Sequence, residues 1–200
     1  MCGFTSIISE KGKFDFHNNF IRKMNEKIVH RGPDSDGYWN SHDGKVLFGH
    51  KRLSIVDLSN KGHQPMNSNN KNLTIIYNGE IYNHLEIRNK YFKNHKFKSH
   101  CDTETLVELI ELLGIKNTLK VIDGMFSFAV YNRRENLIFL ARDRMGEKPL
   151  YYTKINSIND NFFLISSELK SFSEHIDFKK NLNNKAINLF LKYKYIPSPM

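Results

Sequence analysis

Cysteine is scarce: Cys2 and Cys101 are the only two in 200 residues, too few for a disulfide framework. Long apolar runs are missing as well. Stretches such as Leu137 to Ala141 fall far short of the ~20 residues a membrane helix needs. The opening Met1-Cys2-Gly3-Phe4-Thr5 has neither the charged region nor the apolar stretch of a secretory signal. No membrane partner is expected, and the setting reads as soluble, reducing and cytoplasmic. The nine His and two Cys show no H-x-x-x-H and no C-x-x-C, so no metal site is expected. No two glycines form G-x-G, which removes the dinucleotide fingerprint. Gly44 and Gly49 stand at phosphate-loop spacing, but His50-Lys51 follows where Lys and then Ser or Thr is required. Charge of one sign is in excess, at +9 with a pI near 9.4, yet it is nowhere clustered. Acidic residues and many Asn interleave with the Lys, so the charge reads as a solvated surface and no nucleic-acid partner is expected. What the chain does have is core material. With 40% hydrophobic residues, 15 Phe and 9 Tyr, it can bury roughly 70% of its unfolded surface as one globular domain.

The pattern along the chain predicts mixed strands and helices without an internal repeat. Gly3 to Ser9 reads as a strand, and Phe20, Ile21, Met24 and Ile28 form one helical stripe ended by Gly32-Pro33, after which a loop is expected. Val46 to Gly49 and Leu73 to Tyr77 read as short strands, and the polar stretch between them as a surface excursion. Leu106, Leu109, Ile110 and Leu113 fall on one face of a helix from Asp102 to a stop at Gly114, with Asp102 or Thr103 as its N-cap. Further strands are expected at Met125 to Tyr131, Leu137 to Ala141, Leu150 to Thr153 and Phe162 to Ser166, then a helix near Lys185 to Lys194. Tyr195-Ile196-Pro197-Ser198-Pro199-Met200 reads as the beginning of a linker, because prolines exclude helix. The expected division is therefore a domain over 1–194 and a linker from 195 to 200.

The chemistry-bearing feature is a Cys directly after the initiator Met, followed by Gly. Clipping the Met would leave one residue with both a thiol and a free α-amino group. An α-amino group titrates near ~7.7–8.0, so it can take a proton at neutral pH where a Lys amine cannot. Nucleophile and base would then share one residue. The chain goes on to His30-Arg31-Gly32-Pro33-Asp34, Arg52-Leu53-Ser54-Ile55-Val56-Asp57, Gly62-His63-Gln64-Pro65-Met66, Asn78-Gly79-Glu80-Ile81-Tyr82-Asn83, Asp102-Thr103-Glu104 and Arg142-Asp143-Arg144-Met145-Gly146-Glu147-Lys148-Pro149-Leu150-Tyr151-Tyr152. Together with the Met-Cys-Gly start, this ordered set resembles the N-terminal glutaminase domain of the asparagine synthetases, class II glutamine amidotransferases, over essentially the whole chain.

The resemblance implies an α+β N-terminal-nucleophile hydrolase fold, an αββα sandwich with two antiparallel sheets between helical layers. It implies Cys2 as the nucleophile that forms a thioester and releases ammonia, with Asn78 and the Gly79 N–H as oxyanion hole. Arg52 would pair with the carboxylate of L-glutamine and Glu80 and Asp102 would hold its ammonium, with Leu53, Ser54, Ile55 and Val56 completing the binding segment. Taken singly, Arg52 reads as a surface ion pair and Asp102 as a helix cap; as members of the set they read as binding residues. Gly79 is expected to let the backbone approach substrate closely. The Gly-Pro and Lys-Pro segments read as loop-shaping, without a catalytic role. Phe4 and Cys101 depart from the family's commonest pattern, Phe4 as a packing swap and Cys101 as a buried bystander. The glutaminase domain itself needs no cofactor. ATP and Mg are implied for a C-terminal synthetase domain, whose Ser-Gly-Gly loop is nowhere in these residues. The implied partners are glutamine and that synthetase domain, with a homodimer among the admissible assemblies. The alternatives are an inactive or regulatory binding module on the same fold, and an amidotransferase domain serving another carboxylate acceptor.

Overall fold

The computed structural model describes residues 2–11, 19–158 and 160–197. Met1 and the Ser198-Pro199-Met200 end of the expected linker lie outside them. Strands β1 (Gly3–Ser9), β2 (Ser35–Asn40), β3 (Val46–Arg52), β8 (Tyr151–Asn156) and β9 (Asn161–Ser166) form one antiparallel sheet in the order β2-β3-β1-β9-β8. Strands β4 (Met66–Asn67), β5 (Leu73–Ile81), β6 (Gly124–Asn132) and β7 (Leu137–Arg142) form the second, in chain order. Helix α1 (Phe20–Glu26) and a 3-10 turn at Leu169–Glu174 cover the outer face of the first sheet. Helices α2 (His84–Tyr91), α3 (Asp102–Leu113) and α4 (Ile115–Val121) cover the second, and α5 (Asn184–Tyr193) closes the described chain. The αββα layering implied by the resemblance is therefore present.

Side-chain alternation explains the layers. Along β5, Leu73, Ile75 and Tyr77 point to α3 while Ile76 points to the facing sheet, so a strand covered on both faces reads as an unbroken apolar run. Between the sheets Phe4, Val46, Phe48, Ile76, Ala129 and Ile165 interdigitate, none more than 4% exposed. Phe4 is fully buried there, a packing residue as expected. Helix α1 follows its predicted stripe, with Ile21 and Met24 against Ile7, Leu47 and Leu164. Asn183 accepts hydrogen bonds from the Lys185 and Ala186 N–H groups to start α5, and Lys194 at φ 64° ends it.

Several elements differ from the sequence expectation. The expected loop after Asp34 is β2, paired with β3 from Ser35↔Arg52 to Asn40↔Leu47. Its residues, Ser-Asp-Gly-Tyr-Trp-Asn, carry no apolar alternation because an edge strand needs little of it. Helix α2 buries only Ile87, so it leaves no helical stripe to read. Gly114 ends α3 as expected, at φ 75°, but its carbonyl also accepts the Thr118 N–H and so opens α4. The stretch between Gly49 and Leu73 is a surface excursion only in part: Ser59 to Lys61 and Asn69 to Lys71 are exposed, whereas Arg52, Asp57, Gly62, Gln64 and Ser68 are buried. Among the described residues no helix is long and apolar enough to cross a membrane.

Phe48 is fully buried between the sheets and packs its ring 5.4 Å from that of Trp39. Phe48→Ala is expected to cost about 3–5 kcal/mol through the cavity it leaves. Urea denaturation, with the midpoint read at unchanged slope, measures the loss.

Candidate active site

Cys2 precedes the first residue of β1, the middle strand of its sheet. Because Gly3 pairs with Lys51, the end of β3 runs beside Cys2, and the next turn of chain closes on the thiol. The Leu53 N–H donates to Sγ at 3.3 Å, and the thiol in turn faces the Leu53 carbonyl at 3.5 Å. Burial pushes the thiol's pKa up; the Leu53 hydrogen bond and the positive Arg52 pull it the other way, and Asp102 adds to the rise. From the other side Arg31 Nε donates to the Cys2 carbonyl at 3.0 Å.

The second sheet supplies the opposite wall. Asn78 and Gly79 sit in β5 against Ser127 and Phe126 of β6. Asn78 is 1% exposed, and its Nδ2 is buried without a partner among the described residues. A buried amide donor left unpaired costs about 1–3 kcal/mol, which suits a group that waits for an external acceptor. A Cβ on Gly79 would stand 2.3 Å from the Met125 carbonyl oxygen. The neighbouring strand demands glycine here, whereas the sequence expectation attributed it to close approach of substrate.

Asp102 is the first residue of α3 rather than its cap; the N-cap position is Cys101, which makes no side-chain capping bond. Asp102 Oδ2 instead accepts from the Tyr77 hydroxyl at 2.7 Å and from the Ile81 N–H at 2.9 Å. Burial, and then the adjacent Asp102 carboxylate, push the Tyr77 phenol well above its ordinary pKa, so it remains a donor. The start of α3 is fixed from below, where Arg88 donates to the Ser99 and Cys101 carbonyls at 3.0 and 2.8 Å. Glu104 accepts the Lys98 and Ser99 N–H groups at 2.8 and 2.7 Å.

Arg52 is buried, but it is not the surface ion pair that its residue type suggests in isolation. Its guanidinium donates to the Ser59 carbonyl at 2.8 Å and to the Asp57 carbonyl. The Asp57 carboxylate accepts from the Ser59 hydroxyl at 2.6 Å and from the Ser59 and His100 N–H groups. Those bonds, the hydroxyl's foremost, lower its pKa to about 2. The segment after β3 is thereby folded into a wall and tied to the loop before α3. Gln64 couples the same wall to β5 and α3, accepting the Tyr77 N–H at 2.7 Å and donating to Thr103 Oγ1 at 3.3 Å.

The result is a cavity of about 90 Å³. It brings together Cys2, Arg52, Leu53, Ile55, Val56, Asn78, Gly79, Glu80 and Asp102 from distant parts of the chain. Ser54 lies outside the wall, its N–H bonded to Asp34 at 2.7 Å. Cys101 is buried as expected, and it also lines the cavity. Lys148 lines it too, and Arg31 touches Cys2 directly. Both belong to segments that the sequence marks only as turns, so their residue types carried no signal of a side chain turned inward. The arrangement sets a thiol, an unpaired amide donor, a guanidinium and the carboxylate residues Asp57, Glu80 and Asp102 around one small space. It can hold a zwitterion and attack a carbonyl carbon beside it.

Under this wall His50 is fully buried, with Nε2 hydrogen-bonded to the Tyr77 carbonyl at 3.0 Å. Burial depresses its pKa from 6.5 to about 3, so the folded protein keeps it neutral while the unfolded chain takes up a proton below its ordinary value. Stability from this group is complete above about pH 6.5 and falls on acidification toward pH 3. Between about pH 7 and 5.5 the expected loss is about 1 kcal/mol. Chemical denaturation at both pH values measures it, and His50→Gln, which keeps a donor for Tyr77, is expected to reduce the difference.

The whole chain, residues 1–200, matches the family model described as glutamine amidotransferase domain. It is 39% identical over its full length to a Methanocaldococcus jannaschii protein provisionally named glutamine-hydrolyzing asparagine synthetase 2, of which it covers 40%. It is 36% identical, again over its full length, to glutamine-hydrolyzing asparagine synthetase 1 of Bacillus subtilis, covering 30% of that protein. The chain thus spans well under half the length of these relatives. Among solved structures it is similar to the glutamine phosphoribosylpyrophosphate amidotransferase of B. subtilis, with TM-score 0.70 and 20% identity, over 86% of this chain and 43% of that one. That likeness shows the shared N-terminal-nucleophile hydrolase fold. Sequence match and architecture agree: the chain belongs to the glutamine amidotransferase domain family.

Proposed function

We propose that this chain hydrolyses the side-chain amide of L-glutamine and releases ammonia, with Cys2 as nucleophile once Met1 is removed. The observation that carries the reading is the position of the Cys2 thiol, held by the Leu53 N–H in the cavity that Asn78 also lines with a buried, unpaired amide donor. Because burial raises the thiol's pKa, the nucleophile needs a base, and the α-amino group on the same Cα titrates near working pH. It takes the thiol proton as sulfur attacks the amide carbon. The oxyanion is met by Asn78 Nδ2 and the Gly79 N–H. As the tetrahedral species collapses the C–N bond breaks, the proton passes to the departing ammonia, and a thioester remains. Water then cleaves the thioester to glutamate and restores the thiol. Arg52 binds the α-carboxylate, and Glu80 with Asp102 the α-ammonium. Supported by the names of the relatives, the ammonia is consumed by a synthetase unit of a longer protein, which makes asparagine. The ATP and magnesium that activate its acceptor are assigned to that unit, with the linker beginning at residue 195.

Cys2→Ala is expected to abolish glutamate release and Cys101→Ala to leave most of it; retained activity in the first would overturn the assignment. Any residue left before Cys2, including Met1, converts the amine to an amide and displaces it. Such a form is expected to fold with little activity, and full activity would remove the amino group as base. Glutamate release by the clipped and extended forms, with the N-terminus verified by mass spectrometry, decides both.

Arg52 contacts parts of glutamine that do not react, so its loss weakens ground and transition states alike. Arg52→Lys keeps the charge and removes the planar fork; KM for glutamine is expected to rise about tenfold, near 1.4 kcal/mol, at nearly constant kcat. Steady-state kinetics separates the two constants, and an unchanged KM would take Arg52 out of the site.

A further inference from the structure

Glu168 stands just past β9, at a point where the backbone is locked to β1. The Ser167 N–H donates to the Phe4 carbonyl at 2.9 Å, the Phe4 N–H donates back to Ser167 Oγ at 3.0 Å, and the Glu168 N–H donates to Ser166 Oγ at 3.1 Å. Its carboxylate is therefore delivered to a fixed place beside the start of the chain. There Oε1 accepts from Arg31 Nη1 at 3.2 Å and pairs with His30 Nε2 at 2.8 Å, while Oε2 pairs with Lys170 Nζ at 3.2 Å.

Arg31 is the link to the thiol residue. Only 12% of its side chain is exposed, and among the described residues it makes two hydrogen bonds, Nε to the Cys2 carbonyl and Nη1 to Glu168. Its Nη2 is buried with no partner among the described residues. Without Glu168 the guanidinium would keep its Nε bond to the Cys2 carbonyl but lose the anchor at Nη1 that fixes its orientation. That carbonyl matters because it sets the plane of the peptide after Cys2, while Leu53 sets the direction of Sγ. With the peptide plane and the thiol both fixed, the tetrahedral Cα leaves the α-amino group one direction. Positioning at this level governs rate, since a displacement of about 1 Å costs on the order of 100-fold.

We propose that Glu168 is a positioning residue for Cys2, acting through Arg31 to hold the thiol and the α-amino group in their working relation. This rests on the glutamine-hydrolysing reading above. Glu168→Ala, in the chain with Met1 removed, is expected to lower kcat on the order of 10- to 100-fold. KM should stay within about threefold, because the residues assigned to glutamine do not touch Glu168. Glu168→Gln keeps an acceptor at the same reach and is expected to restore kcat to within about threefold of the parent. Glu168→Asp keeps the charge but is one methylene short, and is expected to remain low. A parent-like kcat in Glu168→Ala, or rescue by Asp and not by Gln, would overturn the proposal in favour of a plain ion pair. Should the Ala variant fail to fold, the Gln and Asp pair decides. The rate of Cys2 alkylation by iodoacetamide, read by peptide mass spectrometry with Cys101 as internal reference, tests the same positioning without turnover: slowed in Ala and Asp, parent-like in Gln. If the parent released no glutamate, the functional reading would fail, while the alkylation series would still confirm or refute the positioning role.

Discussion

The site depends on β1 lying in the middle of its sheet. Hydrogen bonding to β3 on one side and β9 on the other leaves the strand no freedom of register, because slipping by one residue would turn Phe4 out of the core between the sheets. Phe4 and Ile7 are completely buried on opposite faces of the strand, and each contributes roughly 1.5–3 kcal/mol by leaving water. The position of residue 2 follows from that packing. Cys2 is held because the strand that follows it, Gly3–Ser9, is in a ladder on both sides.

A second constraint is electrostatic. Arg52, Asp57, Asp102 and Lys148 are buried around one small cavity, and Glu104, next in the chain to the cavity-lining Thr103, is buried as well. Charges so placed persist only when paired or hydrogen-bonded. The protein meets this mostly with backbone: carbonyls 57 and 59 for Arg52, N–H groups of Ser99 and His100 for Glu104 and Asp57, and the Ile81 N–H for Asp102. Backbone partners stabilise these groups without bringing a counter-charge. Asn78 Nδ2 is the extreme case, paired with nothing in the described residues.

Strands buried on both faces, such as β5 and β6, were legible in the sequence because their apolar runs are long and bounded. The polar edge strand β2 and helix α2, which buries only Ile87, were not, since the signal read from a sequence is burial and these elements have little. The site was legible in part. Cys2, Asn78, Arg52 and Asp102 stood out as residue types able to do chemistry in a recognisable order. Arg31, Gln64 and Lys148 sat in the same motifs and carried no such sign, because their work is done by where the side chain ends and not by what it is.

Residue order alone carries the alternation that makes two covered sheets, the Met-Cys-Gly motif, and the family. It could not determine that Asp102 bonds to Tyr77 and Ile81 instead of capping its own helix, that Gly79 answers to β6, or that Glu168 meets Arg31. Each of those depends on a contact between segments far apart in the chain. Local sequence sets backbone preference and burial, both short-ranged, whereas which polar groups meet is settled only when the sheets pack and their registers are fixed.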